Sequence, residues 1–177
     1  GACTDRSAMA SKVAQWAKGD LEQAVVDAGG CAAEMRTWAQ WQSHPQGMAV
    51  NAEPLIQFDR HGNHEGKPWR GSVAQPLAGI KVLDLTRVLA GPVASRFLAG
   101  LGADVLRIDP PTWNEPGVVP EMTLGKRCAR LDLHDKADRS VFENLLKNAD
   151  ILLHGYRADA LEGLGYGIAE RQKLAPG

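Results

Sequence analysis

No stretch of the sequence approaches the ~18 unbroken apolar residues of a membrane span, and the opening Gly1-Ala2-Cys3-Thr4-Asp5 lacks the basic-then-apolar order of a secretion signal. A soluble, cytoplasmic protein without a membrane partner is the expectation. An excess of one charge is also missing: Lys+Arg number 20 and Asp+Glu 21 among 177 residues. The balance holds along the chain, 7 against 8 up to Gln75 and 13 against 13 beyond it, so neither part has the basic footprint of a nucleic-acid binder. Cysteine is scarce. Cys3, Cys31 and Cys128 are odd in number, far apart and without a Cys-x-x-Cys, which excludes a disulfide framework and a cysteine zinc site. There is no Gly-x-Ser-x-Gly elbow, and Ser95 and Ser140 fall inside expected helices, so a serine hydrolase would lack its nucleophile. His61-x-x-His64 has no carboxylate or third histidine at helical spacing, and no metal site is expected there. Internal repeats and low-complexity runs are absent.

What is present is 44% apolar and 23% charged residues, enough for one domain with a real core. Residues 1–75 read as a smaller α+β segment and linker. Val13, Trp16, Ala17, Leu21, Ala24 and Val25 recur at helical spacing between Ser7 and Ala28, as one broken helix or two short ones, with Asp20 as an internal N-cap and Gly29-Gly30 as the stop. Short strands are expected at Cys31–Met35 and Leu55–Phe58, a helical turn at Trp38–Ser43, a turn at His44-Pro45, and a loop from His61 to Pro68.

From Pro76 the pattern sharpens. Strands are expected over Ile80–Leu85, Ala103–Ile108, Ala129–Leu133 and Asp150–His154. One helix opens at Gly91-Pro92 and closes at Gly102; another is capped by Asp135 and carries Val141, Phe142, Leu145 and Leu146. Strands alternating with helices require crossovers, which makes the fold class α/β: a Rossmann-like, doubly wound, mainly parallel sheet over residues 76–177. The first residue is not Met, and the chain stops just after a helical pattern where such a fold leads into another strand, so a fragment is expected.

Ligands of an open parallel sheet bind outside the carboxyl ends of its strands. Arg87 follows the first strand and Arg157 the fourth, placed to flank a phosphorylated ligand with forked hydrogen bonds. Asp109 ends the second strand 18 positions after Gly91, where a dinucleotide fold places the acid that meets ribose hydroxyls. Loop Arg and Asp also serve as plain surface charge. The turn Thr86-Arg87-Val88-Leu89-Ala90-Gly91-Pro92 has one glycine, and a proline where a phosphate wants a donor, which disfavours a classical NAD site. Lys126-Arg127 precedes a strand and is expected on the edge away from the ligand, in a structural or intersubunit role.

Taken together, Pro76-Leu77-Ala78-Gly79-Ile80-Lys81-Val82-Leu83-Asp84-Leu85-Thr86-Arg87-Val88-Leu89-Ala90-Gly91-Pro92 closely resembles the opening of family III CoA-transferases, the group of formyl-CoA and carnitine CoA-transferases and α-methylacyl-CoA racemase. Leu101–Pro111, Gly125-Lys126-Arg127 with Leu131-Asp132-Leu133, and Ala149–Leu152 with Ala160-Leu161-Glu162 and Leu164-Gly165 look like later blocks of that family in its order. The segment Gly30–Arg36 with Trp41 and His44-Pro45-Gln46-Gly47 is similar to a stretch that ordinary members carry near their C-terminal end, so the order is inverted here. Either the parent protein joins two family-like units or it is a rearranged member.

The resemblance implies a site for CoA or acyl-CoA, taken as substrate with no permanently bound cofactor, at Arg87, Val88, Ala90, Pro110, Arg130, Leu131, Asp132, Leu133, Gly155 and Tyr156. Asp109 and Arg157 join them on position alone. An arginine common at position 110 is replaced by Pro110, and an asparagine common at position 155 by Gly155. The implied chemistry is transfer of CoA to a carboxylic acid through an aspartyl-CoA thioester, in an interlocked homodimer. No catalytic residue is expected within this chain, because none of Asp84, Asp109, Asp132 or Asp150 matches the context of the family's nucleophile. A racemase-type enzyme and a non-catalytic nucleotide-binding or assembly module are the alternatives.

Overall fold

The computed structural model describes residues 5–61, 68–157 and 159–176, and the chain divides into two compact units, Gly1–His61 and Gly62–Gly177.

The first unit is helical: α1 (Arg6–Val13), α2 (Lys18–Asp27), α3 (Trp38–Ser43) and α4 (Pro45–Ala52). The broken pattern from Ser7 to Ala28 resolves into two helices, and Asp20 lies in the first turn of α2 while Ala17 is its N-cap. Thr37 and Gln40 form a capping box at the start of α3. Helix α4 begins where a turn was expected: the His44 Nδ1 accepts from the Gln46 N–H at 3.2 Å, and Pro45 occupies the first helical position, where an N–H would have no intrahelical acceptor. Neither Cys31–Met35 nor Leu55–Phe58 is a strand, so among the described residues this unit is not α+β. Their apolar side chains are solvent-facing, Met35 and Phe58 each 90% exposed, and an extended segment with no neighbouring strand has no ladder to join. Glu22 ties residues 34–36 to α2 instead, accepting from the Glu34 N–H at 3.0 Å and from Arg36 at 2.8 Å.

The second unit holds the sheet. In order come β1 (Lys81–Asp84), α5 (Ala90–Gly100), β2 (Asp104–Asp109), α6 (Val119–Met122), β3 (Arg127–Arg130), α7 (Lys136–Lys147), β4 (Ile151–Leu153), α8 (Ala160–Gly163) and α9 (Ile168–Leu174). All four strands are parallel, in the order β3-β2-β1-β4. Alternation along the strands builds a core on each face. Val82 and Val105 pack with Leu98 and Ala99 of α5 on one side, and Leu83, Leu85 and Ile108 pack with Phe142 and Leu146 of α7 on the other. Asp135 caps α7 by accepting from the Ala137 and Asp138 N–H groups. Strand β3 starts two residues earlier than its apolar pattern suggests. Leu131 and Leu133 lie past the ladder and pack against the α7 core, whereas the ladder residues Arg127–Arg130 form an exposed edge. No helix among the described residues is long and apolar enough to cross a membrane.

Candidate functional site

In this strand order β1 lies between β2 and β4, so the chain reverses its winding beside β1, and the carboxyl ends there diverge into a crevice. An open cleft of about 570 Å³, solvent at its mouth included, lies at that point. Residues from beyond all four strands line it, including Arg87, Asp109, Pro110, Leu131, Asp132, Leu133 and Tyr156.

Arg87 is the arginine that lines it. Its guanidinium carbon lies 4.6 Å from the centre of the Trp113 ring and 5.1 Å from that of Tyr156, and its Nη2 donates to the Tyr156 hydroxyl at 2.7 Å. Two aromatic faces fix the plane of the fork. The buried Arg87 Nε has no hydrogen-bond partner among the described residues. Burial pushes the Tyr156 phenol up, with the Arg87 charge acting in the other direction, and it stays protonated at neutral pH.

The turn after β1 is unusual in two respects. Val88 adopts φ +68°, a left-handed conformation that a β-branched residue rarely enters, and its N–H donates to the Glu115 Oε1 at 2.8 Å. Gly91 lets the first turn of α5 close on Thr86: a Cβ there would lie 2.3 Å from the Thr86 Cγ2. Ala90 is exposed at the start of the helix. Beneath the turn, Asp84 and Lys126 form an ion pair at 3.0 Å with both side chains fully buried. The Asp84 carboxylate also accepts from the hydroxyls of Thr86 and Ser95 and from the Thr86 N–H. Lys126 is therefore not remote from the strand ends. Arg127 is in register with Leu106, and Leu106 with Leu83, so β3 begins level with the middle of β1 and a lysine stem reaches its carboxyl end.

On β2, Arg107 and Asp109 share a face two residues apart, and Arg107 grips both Asp109 oxygens at 2.9 and 3.1 Å. The ribose acceptor expected at Asp109 is thus already engaged by a cation inside its own strand. Arg130 Nη1 is spent on the carbonyls of Pro110, Pro111 and Trp113, holding the loop after β2. Asp132 accepts from the His134 N–H, an arrangement that shapes the turn into α7. At β4, Gly155 is open, with nothing within 4 Å of a Cβ placed there. Arg157 is exposed and does not line the cleft. His64 lies outside the described residues, which leaves the His61-x-x-His64 pair unread.

His154, at the end of β4, stacks on Tyr156 with ring centres 6.2 Å apart, and its Nε2 faces Arg171 Nη1 at 3.3 Å. Burial, and then the Arg171 charge, push its imidazole below the ordinary value. The unfolded chain binds that proton more readily, so stability is full above about pH 6.5 and declines as pH falls through the lowered native value. Urea midpoints measured from pH 7 to pH 5 should drop more steeply for the wild type than for His154→Gln.

The residues that sequence reasoning missed are Trp113, Glu115, Arg107 and the buried set of Asp84, Ser95 and Lys126. A signal existed for Arg107 with Asp109, the alternation of β2; Trp113, Glu115 and Lys126 meet Arg87, Val88 and Asp84 more than 25 positions away in the chain, and only the fold joins them.

A sequence model described as CoA-transferase family III matches residues 77–177. An acyl-CoA transferase of Gibberella moniliformis is 31% identical over 170 residues, taking in 93% of this chain and 30% of that protein, so the similarity runs through most of the first unit as well. Human succinyl-CoA:glutarate CoA-transferase is 32% identical over 115 residues, 58% of this chain and 26% of that protein. The crystal structure of a CAIB/BAIF family protein from Brucella suis has a TM-score of 0.50 at 28% identity, over 58% of this chain and 31% of that one. The chain spans 26 to 31% of the length of these relatives.

Proposed function

Because this chain belongs to CoA-transferase family III, we propose that its strand ends bind the CoA portion of an acyl-CoA in a protein that passes CoA to a carboxylic acid. The observation that carries this reading is Arg87, its guanidinium held over the rings of Trp113 and Tyr156, after β1 at the switch point of the sheet. A fixed cationic fork beside an open cleft suits a phosphorylated ligand.

Transfer begins when an aspartate carboxylate attacks the thioester carbonyl, expelling CoA thiolate and leaving an acyl anhydride. The thiolate then attacks the aspartyl carbonyl, giving aspartyl-CoA and the donor acid, and the acceptor carboxylate reverses both steps. The four aspartates beside the strand ends weighed for that role are engaged elsewhere: Asp84 with Lys126, Asp109 with Arg107, Asp132 with the His134 N–H and Asp150 with the Lys81 N–H. This supports a nucleophile outside the 177 residues. Leu89, Val93 and Phe97 form an exposed stripe along α5, the last 66% exposed, which supports an interlocked homodimer for the complete protein. The relatives are named for CoA transfer, which favours transfer over proton exchange.

Titration calorimetry on the complete protein should detect CoA or acyl-CoA and no NAD. Binding of NAD alone would refute the reading.

A further inference from the structure

We propose that Glu115 is a positioning residue for the CoA-facing turn, holding Val88 in its left-handed conformation by accepting the Val88 N–H. This rests on the CoA-binding reading above.

Val88 is 59% exposed, so packing of its own side chain does little to hold that conformation. Cβ branching makes a positive φ costly, and such a residue persists only where its surroundings over-determine it. The surroundings here are one chain of contacts. The Val88 N–H donates to the Glu115 Oε1 at 2.8 Å, the Glu115 Oε2 accepts from Arg107 Nη2 at 2.7 Å, and Arg107 is clamped in turn by Asp109. The Arg107 side chain is 1% exposed, so the anchor cannot drift. Burial works to raise the Glu115 carboxyl, but Arg107, the Trp113 indole and the Val88 N–H together hold it below the ordinary carboxylate range, which keeps a charged acceptor on the amide. Val88 follows directly on Arg87. A turn that relaxed to negative φ would redirect the adjoining peptide and withdraw the guanidinium from between Trp113 and Tyr156.

Position 88 supplies the test, because glycine enters positive φ without steric cost. In the complete protein, Glu115→Ala should weaken CoA binding about tenfold, the scale of one strained residue released. In a Val88→Gly background the same change should cost about threefold or less, since little strain remains for Glu115 to oppose. Hydrogen exchange followed by mass spectrometry should show residues 86–91 exchanging faster in Glu115→Ala, with the β1 and β2 peptides unchanged. Glu115→Met, of similar length but without an acceptor, replaces the alanine variant if that one does not fold. An equal loss in both backgrounds, or unchanged exchange of residues 86–91, would overturn the assignment. A wild type that binds no CoA would sink the proposed function, and the exchange result would still decide the clamp.

Discussion

Lys126→Met should lower the unfolding free energy by about 3 to 5 kcal/mol, the range for breaking a buried ion pair by removing one partner. Lys126 Nζ donates to the Asp84 Oδ2 at 3.0 Å, the Pro92 carbonyl at 2.9 Å and the Ser95 Oγ at 2.6 Å, which uses all three of its donors. Both charged side chains are 0% exposed. Methionine fills nearly the same volume, so the loss is electrostatic: the Asp84 carboxylate stays buried among Thr86 and Ser95 without a counter-charge. Adding Asp84→Asn removes that charge while its one oxygen keeps an acceptor for the Thr86 hydroxyl and its amide can donate to the Ser95 hydroxyl oxygen, and the double variant should recover most of the loss. Urea unfolding of the four proteins in the cycle measures this. A double variant as unstable as Lys126→Met would mean that the lysine stem matters through packing and not through charge. The same contacts join β1, α5 and the start of β3 beneath the Arg87 turn, so the ion pair is part of what sets the cleft.

The sheet was legible because its strands carry their own evidence. Ile80–Leu85 and Ala103–Ile108 are mainly apolar runs, each preceded by a glycine, and their alternation sorts Val82 from Leu83 and Val105 from Leu106 onto opposite faces. The edge strand was legible only in outline. A segment reading Arg-Cys-Ala-Arg has no apolar face to announce it, and of the leucines that follow, Leu131 adds one last bond, from its N–H to the Asp109 carbonyl, before the chain leaves the sheet. Cys31–Met35 and Leu55–Phe58 failed for the opposite reason, since apolar composition says nothing about whether a partner strand is at hand. At the site, Arg87 was reachable from topology, because strand ends are where ligands sit, whereas Tyr156 came only with the family resemblance. Trp113 and Glu115 were reachable from neither. They come from a Pro- and Gly-rich loop with no period, and that loop is positioned by Arg130 through three carbonyls that no sequence pattern encodes. Asp109 lines the cleft from the end of β2, with its carboxylate turned along the strand to Arg107.

Arg87→Ala should weaken CoA binding by about 1.5 to 3 kcal/mol, the range for a hydrogen bond to a charged group, or roughly ten- to 150-fold. The size of the effect follows from preorganisation. The two ring contacts and the 2.7 Å bond to the Tyr156 hydroxyl already fix the guanidinium, so little rotamer freedom is left to lose when an anion arrives. Arg87→Lys should restore little of that affinity, because an ammonium neither lies flat between two rings nor offers a fork. Tyr156→Phe keeps the ring and loses only the acceptor, and its cost should be smaller, about 0.5 to 1.5 kcal/mol. Calorimetry at two salt concentrations separates the contributions: loss of a phosphate contact flattens the salt dependence, whereas loss of a stacking face leaves it unchanged. Unaltered affinity in Arg87→Ala would make this arginine an ordinary surface cation that happens to lie between two aromatic rings, and the ligand would then have to be held by backbone contacts at the turn.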